Sequence, residues 1–290
     1  MSVRTSSANV RPAPDLDSQA GQSMVEVETS VIARAFVLLA CFIRDSEELA
    51  LADLVKRTGL PKGTVHRLAA QLMAVGALER SGKRYRLGLC LFELSGAVWA
   101  QRVLRDLAMP YMQDLYSVTK ETIQLAWFDA EEVLYIDRVR GHDGIVLPTF
   151  PGGRMPAYCT ALGKAMLAFS SPDSFRAVVS RGLTPLSRRT VTAPGMLVSQ
   201  LRNIRKTKLA YDMEEAVPGV ACVAAPILDE AGAAIAAISV SMTTPRLRRL
   251  RLDTVAHAAD GIGKAVRARR RSAFPVTPQH YAGWTRLSGR

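Results

Sequence analysis

Residues 51–88 have the sequence LADLVKRTGLPKGTVHRLAAQLMAVGALERSGKRYRLG, and this stretch decides the fold of the first part of the chain. Leu51 and Leu54 lie three residues apart, as on one apolar helix face. Gly59 follows a basic last turn and is a typical helix stop, because glycine accepts a left-handed backbone. Pro61 stands where a second helix can begin, since first-turn amides lack helical partners in any case. The pattern predicts two short helices that meet at a tight corner.

A second helix and a short hairpin follow the corner. Apolar residues keep helical spacing over residues 65–73, and a turn-forming tripeptide occupies residues 81–83. In the strand after that turn, Tyr85 and Leu87 are predicted to face the core while the neighbouring arginines face solvent. A helix pair, a turn and a basic wing in this order predict a winged helix-turn-helix, which places its second helix in the major groove of DNA.

The exposed face of the second helix carries polar and cationic side chains. Arg67 can bond guanine bidentately and Thr64 can reach a base edge. Between Lys56 and Arg86 there are eight Lys/Arg residues and one acidic residue, which is the charge pattern of a phosphate-binding surface. For the helix alone, a solvated polar face is the alternative, and the wing argues against it. The predicted base contacts are Thr64, His66 and Arg67, and the predicted backbone contacts are Lys62, Lys83, Arg84 and Arg86.

Length, charge and composition limit the class of protein. A chain of 290 residues that is 48% hydrophobic predicts two domains, and a net charge of +12 indicates a polyanionic partner. No apolar run approaches the roughly 18 residues of a membrane span, and the N-terminus lacks a signal-peptide core. A cytoplasmic protein with no membrane partner is therefore expected. The four cysteines and four histidines are scattered, so no metal and no other cofactor is expected.

Changes in composition divide the chain into five segments. They are a disordered arm (1–28), the winged helix-turn-helix domain (29–90), a linker helix (91–112), a second domain (113–270) and a tail (271–290). Pro110 is predicted to end or kink the linker helix, which is also a candidate for pairing with its twin in a dimer. In the second domain, two strand pairs at 122–136 and 222–240 enclose helical patterns, and a last helix is predicted from about Pro245 to Arg269. This order predicts an α+β fold with a mainly antiparallel sheet flanked by helices.

The second domain shows no catalytic motif and several features of a binding pocket. The segment GGRMPAYCTALGKA (152–165) contains a Gly-Lys pair but lacks the other residues of a phosphate loop. Thr160 opens a helix whose first amides suit a carboxylate. Ser239 and Ser241 alternate with apolar residues, so both hydroxyls face one side of a strand and need partners if buried. A small anionic ligand would supply those partners, and neighbouring backbone or water is the alternative.

Three stretches resemble the IclR family of transcriptional regulators. They are LPKGTVHRLAAQL with the wing RYRLG, then MPAYCTALGKAMLA, then AYDMEEAVPGVACVAAPILDEAGAAIAAISVS. The resemblance covers residues 29–270. It implies an N-terminal winged helix, a linker helix and a C-terminal effector domain with a GAF-like sheet. It also implies homodimers or tetramers that bind palindromic operators on double-stranded DNA near genes of small-molecule catabolism.

The resemblance also assigns an effector site. Contacts with an organic-acid effector fall on Ala161 at the helix start and on Asp212, Cys222, Ser239 and Ser241, with Met155 and Tyr158 in an apolar wall. Cys222 is then a pocket-lining thiol rather than a redox centre.

Two departures from the family stand out. Gly63 replaces the Ser or Ala of many relatives, which removes one expected DNA contact. The His142-Asp143-Gly144 stretch replaces more apolar residues, which implies an effector of different size or polarity.

These observations predict a ligand-responsive DNA-binding regulator, either a repressor or an activator, of an operon whose products break down a small molecule such as an aromatic or other organic acid. The alternative is a small-molecule sensor or an enzyme whose basic domain binds protein or RNA. No catalytic residue is assigned.

Overall fold

The computed structural model describes residues 30–43, 48–129, 131–141, 145, 147–249 and 251–270. The arm and the tail predicted at 1–28 and 271–290, and the departure at 142–144, lie outside these residues. The chain divides into two compact units, the first ending at Leu89 and the second beginning at Cys90.

The first unit is a small helical domain with a three-stranded sheet. Its strands are antiparallel in the order β1-β3-β2. Gly59 ends the helix before the corner with a φ of 66°, as glycine allows. The elements are α1 (Val31–Ala40), β1 (Leu49–Ala50), α2 (Leu51–Thr58), α3 (Lys62–Ala74), β2 (Leu78–Ser81) and β3 (Arg84–Leu87).

The centre of this unit's core is formed by residues of the predicted apolar stripes. Leu54, Val65, Leu68 and Tyr85 are buried. Leu87 was predicted to face the core, and this is wrong, because its side chain is 41% exposed. It stands two residues after Tyr85 and shares its face of β3, but it is the last residue of the strand and the core no longer covers it.

The second unit is built on a six-stranded sheet in which all neighbouring strands are antiparallel. The strand order is β6-β5-β4-β9-β8-β7. The strands are β4 (Thr122–Asp129), β5 (Glu132–Val139), β6 (Arg154–Pro156), β7 (Ala210–Met213), β8 (Val220–Leu228) and β9 (Ala234–Thr243). The helices are α4 (Leu89–Gly96), α5 (Trp99–Thr119), α6 (Ala161–Leu167), α7 (Pro172–Arg181), α8 (Pro194–Thr207) and α9 (Leu252–Arg270).

Helices cover both faces of this sheet. On one face, α5 and α9 pack on Ile123, Leu125 and Ile238 in an apolar core. On the other face, α6, α7 and α8 pack on Ala126, Tyr135 and neighbouring strand residues. The predicted α+β fold with an antiparallel sheet flanked by helices is confirmed.

Three element boundaries differ from the sequence prediction. The linker helix predicted at 91–112 is two helices, α4 and α5, separated at Ala97 and Val98. Pro110 lies inside α5 instead of ending it. It removes one helical hydrogen bond, to the carbonyl of Asp106, and both residues are exposed, so water can satisfy that carbonyl.

The last helix also begins later than predicted. Residues Thr244–Arg249 form a 3₁₀ helix, and α9 starts at Leu252. The edge strands β6 and β7 were not predicted, because three and four residues are too few to show a two-residue period.

Candidate functional site

The helix α3 presents a polar face opposite its buried stripe. Lys62, His66 and Arg67 are exposed and Thr64 is half-buried, while Val65 and Leu68 turn inward. The helix geometry therefore places the predicted DNA contacts of α3 on one accessible side. Gly63 is exposed on the same helix, and a Cβ added there would meet no atom within 4 Å.

The hairpin β2–β3 carries the remaining predicted DNA contacts. These side chains differ in whether they are already bonded within the protein. Lys83 lies exposed in the turn after Gly82, whose φ is 59°. The Arg84 guanidinium donates to the Glu48 carbonyl at 3.3 Å. Arg86 is paired across the hairpin with Glu79, with Nη2 and Oε2 2.7 Å apart, and this lowers the pKa of the Glu79 carboxyl. A phosphate would have to compete with Glu79 for Arg86.

The second unit contains a pocket between one face of the six-stranded sheet and the start of α6, which we call the inner pocket. Five of the seven residues predicted for an effector site line it: Met155, Ala161, Asp212, Cys222 and Ser239. The described lining also includes Gln124, Tyr135, Leu147, Pro148, Thr149, Thr160, Leu162, Ala216, Val217 and Val220.

The two serines on β9 have different surroundings. Ser241 donates to Gln124 Oε1 at 3.1 Å and accepts from Cys222 Sγ at 3.1 Å. The Ser239 hydroxyl, on a residue only 1% exposed, has no hydrogen-bond partner among the described residues. Buried hydroxyls are normally bonded, so Ser239 is the polar group of the pocket that a ligand can satisfy.

Tyr158 and Ser241 were also predicted at the effector site, but neither is among the residues that line the inner pocket. Tyr158 is buried and its hydroxyl donates to the Thr184 carbonyl at 2.5 Å. Ser241 does not contact the pocket directly, but it is hydrogen-bonded to two residues that line it, Gln124 and Cys222.

Sequence reasoning also missed several lining residues. Gln124 is a polar residue within an apolar strand, which was a usable signal, whereas Thr149 lies in a segment without regular structure.

Asp212 closes one side of the inner pocket and is 3% exposed. Its Oδ1 accepts the backbone amides of Glu215, at 2.7 Å, and Ala216, at 3.4 Å. Behind this turn, the buried Lys164 donates to Glu215 Oε1 at 2.5 Å and to Gln200 Oε1 at 3.0 Å. The Lys164 ammonium group is therefore bonded to Glu215 and Gln200, and Lys164 is not among the residues that line the pocket.

Desolvation dominates the acid–base chemistry of this region. It raises the pKa of Asp212 to about 7, against the lowering effects of the backbone amides and of Lys164. It also raises the pKa of the Cys222 thiol to about 12. The thiol therefore stays protonated at neutral pH, which makes it a poor nucleophile and a poor metal ligand.

The inner pocket is small. Its free volume is about 30 Å³, room for roughly two water molecules. A wider cleft of about 340 Å³ lies between β7 and α8, lined by residues that include Arg189, Gln200 and Tyr211. The inner pocket, and not this cleft, contains the Ser239 hydroxyl that lacks a partner among the described residues and five of the residues predicted for an effector site.

Comparison with known proteins identifies the family. A family model for the C-terminal domain of the bacterial transcriptional regulator IclR matches residues 97–268, and the IclR helix-turn-helix domain matches residues 31–82. The chain belongs to the IclR family. The resemblance inferred from sequence is thereby confirmed, and with it the prediction of a DNA-binding transcriptional regulator.

Individual relatives in the IclR family agree with this assignment. The chain is 33% identical over 241 residues to the regulator BhcR of Paracoccus denitrificans, covering 82% of this chain and 84% of BhcR. It is 30% identical to the regulator KdgR of Escherichia coli over 82% of this chain and 89% of KdgR.

Among solved structures, an IclR homolog from Microbacterium hydrocarbonoxydans in complex with 4-hydroxybenzoate superposes with a TM-score of 0.76. It is 30% identical and covers 82% of this chain and 100% of its own. Within the described part of this IclR-family chain, no helix combines the length and apolarity of a membrane span.

Proposed function

We propose that this IclR-family regulator is responsive to a small organic acid that occupies the inner pocket and alters its affinity for operator DNA. The observation that carries the proposal is the Ser239 hydroxyl, which lines the pocket and lacks a hydrogen-bond partner among the described residues. A bound effector that supplies this hydrogen bond gains free energy that the empty pocket does not have.

The lining of the inner pocket favours an acid held by neutral donors. None of the described residues that line it is a lysine or an arginine. The donors offered to a carboxylate are the Ser239 hydroxyl, the second N–H of the Gln124 amide, and the first backbone amides of α6. Gln124 Nε2 already donates to Thr149, and the Gly163 amide of α6 donates to Thr160. Met155, Leu162 and Val220 supply an apolar wall. The complex of the Microbacterium homolog with 4-hydroxybenzoate supports an aromatic acid as the ligand class.

On the DNA side, we assign base contacts to Thr64, His66 and Arg67 and backbone contacts to Lys62, Lys83 and Arg84. Arg86 contributes only where a phosphate outcompetes Glu79. The operator is proposed to be palindromic, because a symmetric dimer presents two copies of α3.

A dimer is supported by the apolar side chains that α4 leaves open. Leu89, Phe92 and Leu94 are 68%, 75% and 63% exposed, and clustered exposed apolar residues mark interaction surfaces. We propose that the regulator represses or activates genes for enzymes that break down the effector.

The test is a mobility-shift assay with the promoter region beside the protein's own gene, with and without 4-hydroxybenzoate. Ser239→Ala should keep DNA binding and lose the response to the acid. Ser199→Ala, at an exposed serine of α8, is the matched control and should respond like the wild type. Absence of a shift at low salt would count against DNA regulation at this promoter, and an unaltered response of Ser239→Ala would refute the pocket assignment.

A further inference from the structure

One wall of the inner pocket is a short segment without regular secondary structure. Leu147, Pro148 and Thr149 form this segment, which we call the strap, and all three line the pocket. Two side chains hold the strap at Thr149. Gln124 Nε2 donates to Thr149 Oγ1 at 2.6 Å, and the Arg138 guanidinium donates to the Thr149 carbonyl. Gln124 also accepts from Ser241, so the strap is bonded to the polar wall of the pocket.

Both residues that hold the strap belong to adjacent strands. Gln124 on β4 and Arg138 on β5 are direct partners in the antiparallel register, so their side chains share one face of the sheet. The chain after the strap is bonded to β5 as well. The Gly152 amide donates to the Tyr135 carbonyl at 2.8 Å, and the Tyr135 amide donates to the Gly153 carbonyl at 3.0 Å. The strap is therefore bonded to β5 at Thr149 and, three and four residues further along the chain, at Gly152 and Gly153.

The opposite face of β5 is joined to the helix α5. Asp137 Oδ1 accepts the backbone amide of Arg138 at 2.8 Å, and Asp137 Oδ2 accepts Arg105 Nε at 2.6 Å. Arg105 lies on α5, which the chain connects, through Ala97, Val98 and the separate helix α4, to the strand β3 of the winged domain. A continuous series of hydrogen bonds thus runs from the pocket, through β5, to the helix that leads to the DNA-binding unit.

The size of the pocket decides which wall must move. A free volume of about 30 Å³ does not admit an organic acid, since the pocket has room for only roughly two waters. Strands β4, β5, β8 and β9 are held by backbone ladders of many hydrogen bonds, with one irregularity in each of the pairs β4–β5 and β8–β9, whereas the strap is held at Thr149 by two side chains. The strap is therefore the wall that yields at the lowest free-energy cost.

We propose that Asp137 and Arg105 are positioning residues that pass displacement of the strap to α5 when an acid enters the inner pocket. The proposal rests on the proposed function of that pocket. Displacement of the strap takes the Thr149 carbonyl away from the Arg138 guanidinium, so that β5 shifts at Arg138. The adjacent Asp137 moves with Arg138 and passes this shift to Arg105 through their ion pair. Coupling of this kind travels through contiguous contacts and is reciprocal between its two ends.

The first experiment needs no effector and uses hydrogen–deuterium exchange on the full-length protein. Arg105→Ala should speed exchange of the Gly152 and Gly153 amides by about 2- to 30-fold. Reciprocally, Thr149→Ala should speed exchange in the part of α5 around Arg105. Arg105 is more than half exposed and Asp137 keeps the hydrogen bond from the Arg138 amide, so we expect Arg105→Ala to fold. The matched control is Arg102→Ala, an exposed arginine one turn earlier on α5, which should leave both segments unchanged.

The second experiment adds 4-hydroxybenzoate as the probe and the promoter region as DNA. In Arg105→Ala and in Asp137→Asn, the affinity for the probe should stay within about twofold of the wild type, while its effect on DNA affinity should disappear. Failure of the probe to bind the wild type would count against the proposed effector class alone, since the exchange experiment still decides the coupling. The coupling is refuted if the Gly152 and Gly153 amides exchange at the same rate in Arg105→Ala as in Arg102→Ala. It is also refuted if 4-hydroxybenzoate binds Arg105→Ala and still changes its affinity for DNA.

Discussion

At the scale of single residues, Ser239 and Ser241 should respond in opposite ways to the same substitution. Ser241→Ala removes the donor to Gln124 Oε1 and the acceptor of the Cys222 thiol, and should lower the free energy of unfolding by about 1–3 kcal/mol. Ser239→Ala removes a buried hydroxyl that has no partner among the described residues, so it should leave the stability unchanged or raise it by about 1 kcal/mol. Chemical denaturation without effector measures both. A loss of stability in Ser239→Ala would show that its hydroxyl is bonded after all.

Asp212 should make stability depend on pH near neutrality. Desolvation raises its pKa from 3.8 to about 7, so the folded protein binds a proton that the unfolded chain has lost between these values. The free energy of unfolding should therefore fall as pH rises through about 4 to 7 and level off above that range. Asp212→Asn keeps an acceptor for the Glu215 and Ala216 amides, and should remove this component of the pH dependence. Denaturation curves at several pH values test it, and an identical profile in the variant would contradict the assignment.

The same carboxyl should couple effector binding to a proton. An acid anion beside Asp212 favours the protonated aspartic acid, because like charges repel at short distance. The affinity for 4-hydroxybenzoate should therefore fall by up to about tenfold per pH unit above the pKa of Asp212. Asp212→Asn should flatten this dependence, and calorimetry in buffers of different ionisation enthalpy should detect proton uptake only in the wild type.

At the scale of the element, α3 and the wing should contribute differently to DNA recognition. Arg67→Ala should weaken operator binding by about 1–3 kcal/mol and reduce discrimination against altered sequences. Lys83→Ala should weaken binding to all sequences alike and lower the slope of log affinity against log salt by about 1. Binding curves for operator and unrelated DNA at several salt concentrations separate these effects. Equal losses on all DNA in Arg67→Ala would reassign Arg67 to the phosphate backbone.

The helix α3 also carries a local weakness at Gly63. Glycine in a helix costs about 0.5–1 kcal/mol relative to alanine, and a Cβ at this position would meet no neighbour. Gly63→Ala should therefore raise the stability of the first unit by about that amount. Any accompanying loss of operator affinity would show that the DNA approaches the backbone closely there.

At the scale of the whole molecule, the exposed face of α4 should set the oligomeric state. Phe92 is 75% exposed, and a dimer interface would bury it. Phe92→Ser should shift the protein toward monomer in analytical ultracentrifugation and weaken operator binding by about 100-fold, because each half-site would then bind separately. Val118→Ser, at a similarly exposed position on α5, should have no effect on either measurement.

The sequence by itself determined the elements whose signals are local. Helix stripes, the Gly59 stop and the alternation in long strands depend on neighbours within one or two turns, so the winged domain and four of the sheet strands were predictable. It also placed Ser239 on the polar side of β9. Local pattern failed at Pro110, which α5 accommodates on an exposed side, and at Leu87, which alternation assigned to the core but which lies at the exposed end of its strand.

Only the tertiary structure decided which polar groups meet. Gln124 and Ser241 are 117 residues apart in sequence and become hydrogen-bond partners because β4 pairs with β9. The same register leaves Ser239 without a partner among the described residues, and packing directs the Tyr158 hydroxyl to Thr184 and away from the pocket. The physical reason is that strand register and side-chain desolvation depend on the whole assembled sheet, whereas helix and strand periodicity are properties of short segments.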